Sequence, residues 1–312
     1  MQAKLIVVFC FLFLMLQANE TVKRTQVLMG TYATITLPSK HKEQIKEGFN
    51  LIKSIEMSLS SYNPKAKVFQ LNKHKQIQSD QYLHEALIQS IEAYHSTNGH
   101  FDITIGSITK NLYHFGEAER IPTTKELSKA QLGIDSIVID KHTIRLENNI
   151  TIDLGGIGKG YAVDKVANYY RSLGIKEGVI ALSGDIQALF LTPIYIDSPF
   201  TGQPFIKLIT KHPNTSISTS GTYRRFVKNK KHHHLINPKN RKQGSTFSSV
   251  TLLAHANNTE IDALATAIGT MNESQALKLL INREDIGYLL IKNSGNILYG
   301  NLKPFASFDL ID

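Results

Sequence analysis

The chain has 312 residues, of which 42% are hydrophobic and 20% charged, and it carries a formal net charge of +9. That length and balance suit one large folded domain or two small ones, and exclude a disordered or collagen-like chain. The positive surplus suits an anionic partner such as nucleic acid, an acidic membrane surface or a phosphorylated small molecule, and the single cysteine, Cys10, excludes a disulfide framework.

Residues 1–18 differ from the rest. One cation in Met1 to Lys4 precedes an unbroken apolar run, Leu5 to Leu16, and Ala18 follows as a small residue at a cleavage point. This is the pattern of a secretory leader, with an uncleaved N-terminal anchor as the alternative. Cys10 lies inside the apolar run, and Phe9 before it is not the small residue expected ahead of a lipid-modified cysteine. The expected domain is therefore 19–312, exported and free of thiols once the leader is removed.

Thr25 to Leu37 reads as a strand containing Met29-Gly30-Thr31, closed by Pro38. His41 to Leu59 follows as a helix, with Ile45, Phe49, Ile52, Ile55 and Leu59 on one stripe, and Ser60 to Pro64 is a turn. A second helix is expected from Gln81 to His95, ending at Asn98-Gly99. Thr123 with Glu126 makes a capping box for a short helix that stops at Gly133. Strands are expected at Ser136–Asp140, Thr143–Glu147 and Ile150–Leu154, then a helix over Tyr161–Leu173 and a strand at Gly178–Leu182. The second half adds strands at Phe205–Thr210, Arg224–Lys228, His232–Ile236 and Phe247–His255. A helix over Glu260–Met271, capped by Asn258 or Thr259, precedes a helix at Ser274–Ile281 and a hairpin of Gly287–Lys292 with Ile297–Leu302. The elements do not alternate as βαβ units, so the class is α+β.

The densest chemistry lies at Asp153 to Asp164, where Gly155, Gly156, Gly158, Gly160 and Lys159 sit between a strand and a helix. The segment reads equally as a tight strand-to-helix turn or as a cradle for phosphate, whose oxygens suit free N–H groups at a helix start. Asp262 and Thr266 are four apart and share a helix face. They are either an exposed polar pair or two oxygen ligands of a hard cation such as Mg²⁺, which would need a backbone carbonyl, water and substrate phosphate besides. His232, His233 and His234 lie among Lys230, Lys231, Arg224, Arg225 and Lys228. A strand would put His232 and His234 on one face, as part of a basic hairpin, a base or a ligand set. With Tyr223 and Phe226 that hairpin also leaves a nucleic-acid-binding module open. Tyr62 and Phe101 are turn aromatics that could stack on a ring or cap the core, and Asp102 and Asp185 are loop carboxylates beside glycines.

These residues resemble the ApbE-type FAD:protein FMN transferases. The resemblance is carried by Met29-Gly30-Thr31, Ser61-Tyr62, Leu71-Asn72, Gly99-His100-Phe101-Asp102, Asp153 to Asp164 and Ser183-Gly184-Asp185-Ile186. It continues through Thr219-Ser220-Gly221, His233 to Pro238 and Asp262-Ala263-Leu264-Ala265-Thr266, all in the family's order. It implies a single large mixed domain, T-fold-like, of mostly antiparallel sheet with packed helices. It further implies Mg²⁺-dependent transfer of FMN from FAD to a threonine or serine hydroxyl of an acceptor flavoprotein subunit of an electron-transfer system, with release of AMP. Alternatives within reach are FAD hydrolysis to FMN and AMP, or a non-catalytic FAD carrier, in the periplasm or attached to the inner membrane.

The resemblance assigns Asp262, Thr266 and the Gly158 carbonyl to the metal, and His234 as the base. It assigns Met29, Tyr62, His100, Phe101, Asp102, Gly155, Gly156, Lys159, Tyr161, Asp185 and Ile236 to FAD. Gly158, through its carbonyl, is expected to matter more than Lys159. Some positions depart from the family's pattern: Asn237 stands for an aspartate, Ile103 and Ser107 for prolines, Ser183 for a glycine and Gly158 for an alanine.

Overall fold

The computed structural model describes residues 20–311. The expected leader and Cys10 lie outside them. Among the described residues no helix is long and apolar enough to cross a membrane.

The framework is an eight-stranded sheet of Thr21–Leu28, Thr31–Pro38, Val179–Leu182, Asp185–Ala188, Thr215–Gly221, Phe247–His255, Gly287–Lys292 and Ile297–Gly300, side by side in chain order. Each neighbouring pair is antiparallel. Antiparallel neighbours need no crossover, so the chain between strands is free to build other layers.

Helices Gln44–Leu59, Gln81–Ser96, Gly158–Ser172 and Asn258–Ile268 share one large core with one face of this sheet. Ala33, Ile35 and Leu37 point into it from alternate positions of their strand, as period-two geometry requires. The other face is covered by a three-stranded sheet of Pro193–Asp197, Pro204–Thr210 and Ala306–Leu310, through a second core. Phe247–His255 lies between both layers. Leu252 faces the helices, Leu253 faces the small sheet, and the strand is buried along nearly its whole length. A third sheet, Gln76–Gln78, Thr143–Leu146 and Ile137–Asp140, sits outside the main one. The expected α+β class with a mostly antiparallel sheet describes this architecture.

Several expectations are corrected. Thr25 to Leu37 is a hairpin rather than one strand. Met29 and Gly30 form its two-residue turn, both with positive φ (52° and 71°), which is the geometry a tight hairpin needs. Ile150–Leu154 is not a strand, and the third strand of its sheet is Gln76–Gln78, preceded by an unforeseen helix, Lys67–His74. Arg224–Lys228 and His232–Ile236 are not strands either. Only isolated bridges, Phe226 to His233 and Ile236 to Gln243, tie that segment together, around a single 3₁₀ turn at Lys230–His232. The cap of Asn258–Ile268 is Asn257, whose side chain accepts from the Glu260 N–H. The last helix is Glu273–Leu280, opened by an Asn272–Gln275 capping box.

The two helices Gly158–Ser172 and Asn258–Ile268 are locked together at their starts. A β-carbon at Gly160 would fall well inside contact distance of the Asn258 carbonyl and 2.8 Å from Asp262 Cβ. Asp164, one turn on, accepts from the Asn258 N–H (2.9 Å), the Thr259 N–H (2.7 Å) and the Thr259 hydroxyl (2.6 Å). A carboxylate there meets the positive end of the second helix. Gly160→Ala should force the helices apart and cost about 2 kcal/mol or more, as overpacking against fixed backbone does. Urea unfolding should show a lower midpoint at unchanged slope; an unchanged midpoint would show that the contact yields freely.

Candidate active site

A cavity of about 780 Å³ opens where the Met29–Thr31 turn, the glycine loop, the Asn258–Ile268 helix and the His234–Ile236 segment meet. Met29, Tyr62, His100, Phe101, Asp102, Gly155, Gly156, Gly158, Lys159, His234, Ile236, Asp262 and Thr266 all line it. These residues come from segments spread over most of the chain, so folding rather than local sequence creates the site.

At one corner, Asp262 is nearly fully buried. Its Oδ2 accepts from the Gly160 N–H at 3.0 Å, and its two oxygens lie 3.4 and 3.3 Å from Lys159 Nζ. Burial, together with the nearby Asp185 carboxylate, pushes the Asp262 carboxyl well above the usual carboxylate range, and the Lys159 ammonium opposes this. For Lys159, burial is outweighed by Asp185 and Asp262, which hold its amine above the ordinary lysine value. Thr266 Oγ1 lies 3.4 Å from the Gly156 carbonyl and 3.5 Å from Ser220 Oγ. The corner therefore presents a carboxylate, two hydroxyls and a loop carbonyl, all hard oxygen donors. Among the described residues no three His, Cys, Asp or Glu side chains converge on one point. That donor set fits Mg²⁺ completed by substrate oxygens, and does not fit a closed zinc site.

The loop carbonyl that Thr266 touches is that of Gly156, and Gly158, whose carbonyl is the expected metal ligand, lines the same cavity. Gly156 is pinned: a β-carbon there would come 2.9 Å from both Thr266 Cγ2 and Oγ1. At Gly158 a β-carbon would meet only Met29 Cε and Leu59 Cδ1, at 3.5 and 3.7 Å, so the family's usual alanine has room. Two residues expected at the FAD site, Tyr161 and Asp185, are placed away from the cavity lining. Tyr161 does not line the cavity; it is buried, and its hydroxyl donates to Glu85 Oε2 at 2.7 Å. Asp185 lies behind the wall, joined to Lys159 Nζ at 2.8 Å and accepting from Ser218 Oγ at 2.6 Å.

The three histidines separate into different environments. His232 belongs to the 3₁₀ turn. His233 is buried, its Nε2 bonded to the Gly244 carbonyl at 2.8 Å and its Nδ1 accepting from the Leu235 N–H. His234 faces the cavity, with Nδ1 3.1 Å from the Arg225 carbonyl. A carbonyl only accepts, so Nδ1 carries the proton and Nε2 keeps its lone pair. Burial, then the Arg225 charge, lowers the His234 imidazole to about 4.

The opposite wall holds Tyr62. Lys110 Nζ lies 3.1 Å from its ring centroid, and its hydroxyl meets both the Phe115 carbonyl (3.0 Å) and Arg225. One ring face is thus taken by a cation. Phe101 packs its ring edge against Gly156. Asp102 Oδ1 accepts from the Thr104 N–H and hydroxyl at 2.8 and 2.7 Å. His100 Nδ1 is buried and meets no hydrogen-bond partner among the described residues. Arg225 is a wall residue that the expected hairpin conceals, and Lys110, which supports Tyr62 without lining the cavity, carries no signal in the sequence.

The ApbE family's sequence profile matches residues 29–290. The chain belongs to the ApbE family. It is 27% identical over 284 residues to the FAD:protein FMN transferase of Vibrio cholerae, covering 82% of this chain and 83% of that one. With the FAD:protein FMN transferase of Buchnera aphidicola from Schizaphis graminum it shares 28% over 331 residues, covering 95% and 94%. The solved flavin transferase ApbE of Vibrio cholerae superposes with a TM-score of 0.79 at 24% identity, covering 92% of this chain and 99% of that one. The ApbE protein of Thermotoga maritima gives a TM-score of 0.83 at 22% identity, covering 91% and 98%.

Membership in the ApbE family gives the Asn237 departure a local account. Its amide donates to the Thr270 carbonyl at 3.1 Å while its oxygen accepts from the Lys239 N–H at 2.9 Å. An asparagine serves both bonds at once, and its work is to hold the turn after His234–Ile236.

The His234 environment can be measured in the free protein. In ¹⁵N-histidine NMR its ring should stay neutral through pH 5 and titrate near 4, well below the ordinary histidine value. The unfolded chain binds that proton more readily, so this group's stabilisation is full above the ordinary value and is lost as pH falls through about 4. A midpoint at or above the ordinary value would overturn the assigned environment.

Proposed function

We propose that this ApbE-family chain is a Mg²⁺-dependent FAD:protein FMN transferase that moves FMN from FAD to a threonine or serine hydroxyl of an acceptor protein and releases AMP. One observation carries the reading: Asp262, Thr266, Lys159 and His234 converge on a single cavity of about 780 Å³. Curated relatives of similar length that bear the name FAD:protein FMN transferase support it.

In the proposed reaction the acceptor oxygen bonds to the FMN phosphorus. The bond from that phosphorus to the bridging oxygen breaks and AMP departs with the bridging oxygen. His234 Nε2 takes the hydroxyl proton. The lowered basicity of this ring keeps the lone pair free at neutral pH, and the Arg225 carbonyl holds the ring in the tautomer that accepts. Asp262, the Thr266 hydroxyl and the glycine-loop carbonyl would hold Mg²⁺, which when bound neutralises pyrophosphate charge and eases departure of AMP. Lys159 supplies a positive charge on the same wall. Tyr62, Phe101, His100 and Asp102 frame space for the flat rings of FAD.

We further propose that the acceptor is a flavoprotein subunit of an electron-transfer system carrying a Thr/Ser flavinylation motif. The reaction would then take place in the periplasm, with the enzyme attached to the inner membrane where the N-terminal segment stays uncleaved.

Incubation with FAD, Mg²⁺ and such an acceptor should give an acceptor band that keeps flavin fluorescence on a denaturing gel. Asp262→Ala and His234→Ala should each lower the rate about 100-fold or more. AMP release of equal rate without acceptor would replace transfer by hydrolysis. FAD binding without AMP release or labelling would leave a carrier.

A further inference from the structure

Lys159 is placed between two buried carboxylates that differ in every other respect. Its Nζ is 2.8 Å from Asp185 Oδ2 and 3.3 Å from Asp262 Oδ2. Asp262 faces the cavity, and Asp185 does not. Asp185 is fixed from behind by the Ser218 hydroxyl at 2.6 Å, on the Thr215–Gly221 strand. Asp262 is fixed by the Gly160 N–H. Lysine is a compact charge on a flexible stem, so of the three groups it is the one free to move.

Resting on the proposed metal-dependent reading, we propose that Lys159 serves as the site's own cation on Asp262 until a divalent ion takes that carboxylate, and that Asp185 is the positioning residue that draws the ammonium aside. Two buried carboxylates this near one ammonium would be costly without it. One ammonium still leaves a negative charge uncompensated, which a divalent ion answers. An ammonium and a divalent ion on the same carboxylate repel strongly at such separations. Asp185 lets the ammonium yield Asp262 without leaving the cavity wall, where it remains opposite an anionic substrate. Without Asp185, Lys159 has Asp262 as its sole carboxylate and competes harder for it.

The test is Mn²⁺ binding to the full chain, followed by the EPR signal of the free ion, with neither FAD nor acceptor present. Lys159→Met should bind Mn²⁺ about tenfold tighter than wild type, and Asp185→Asn about threefold weaker. In the Lys159→Met background, Asp185→Asn should cost clearly less than in wild type, because only its direct attraction for the ion remains once the lysine is gone. An unchanged or weaker Lys159→Met, an unchanged or tighter Asp185→Asn, or an equal cost of Asp185→Asn in both backgrounds overturns the proposal. So does an Asp262→Ala variant that still binds Mn²⁺ as wild type does. Should circular dichroism show that Lys159→Met does not fold, the neutral Lys159→Gln takes its place in the same comparisons. Flavin transfer is not read, so a chain that binds Mn²⁺ as expected but labels no acceptor sinks the proposed function and leaves this assignment standing.

Discussion

The contact on which the rest depends is the meeting of two helix starts at Gly160. Only a hydrogen at that position lets the backbone of Asn258 approach. The approach in turn allows the Gly160 N–H to bind Asp262 and lets Asp164 satisfy the first N–H groups of the second helix. Those free groups need partners when buried. The glycine loop and the Asp262–Thr266 face are thus one rigid object built from two distant stretches. A charge relocated by a fraction of an ångström here is relocated relative to everything in the cavity.

Burial governs the electrostatics. Water is largely excluded from Asp262 and Asp185, so their charges are answered by Lys159 and by specific donors rather than by solvent. The same exclusion keeps His234 neutral, aided by Arg225. Around the opposite wall, Lys110 and Arg225 flank the Tyr62 ring. The cavity lining itself is mixed in charge, with Lys159, Arg224 and Arg225 against Glu56, Asp102, Asp153 and Asp262, so the chain's positive surplus lies mostly elsewhere.

Long amphipathic helices were legible because their apolar stripes are regular: Ile45, Phe49, Ile52, Ile55 and Leu59 are all buried. The Thr215–Gly221 strand was not, because all its buried side chains except Ile217 are hydroxyls. Ser216 bonds Gln187, Ser218 bonds Asp185 and Thr219 meets Thr251, so no apolar alternation exists to be seen. The apparent Arg224–Ile236 hairpin failed for the opposite reason. Its residues have strand-like composition, but Arg225 and His234 are committed to the cavity and His233 to the Gly244 carbonyl. Within the site, motif positions indicated most lining residues. They could not separate lining from supporting roles, since Tyr161 and Asp185 sit in the same motifs yet face away. Spacing along a chain fixes neighbours, not the direction in which a turn aims them.

The sheet's simple order has a kinetic corollary. Thr31–Pro38 pairs with Val179–Leu182, so two adjacent strands must wait for the whole intervening excursion to return. Closing so long a loop costs entropy before it yields contacts, and topologies rich in such pairings fold slowly. Both the excursion and the later Phe247–Ile268 segment supply walls of the cavity. Secondary structure in the helical layer can form early, but a pocket able to hold a ligand exists only once the slowest closure is complete. A bound ligand would therefore act on the lifetime of the finished fold and hardly at all on the speed of reaching it.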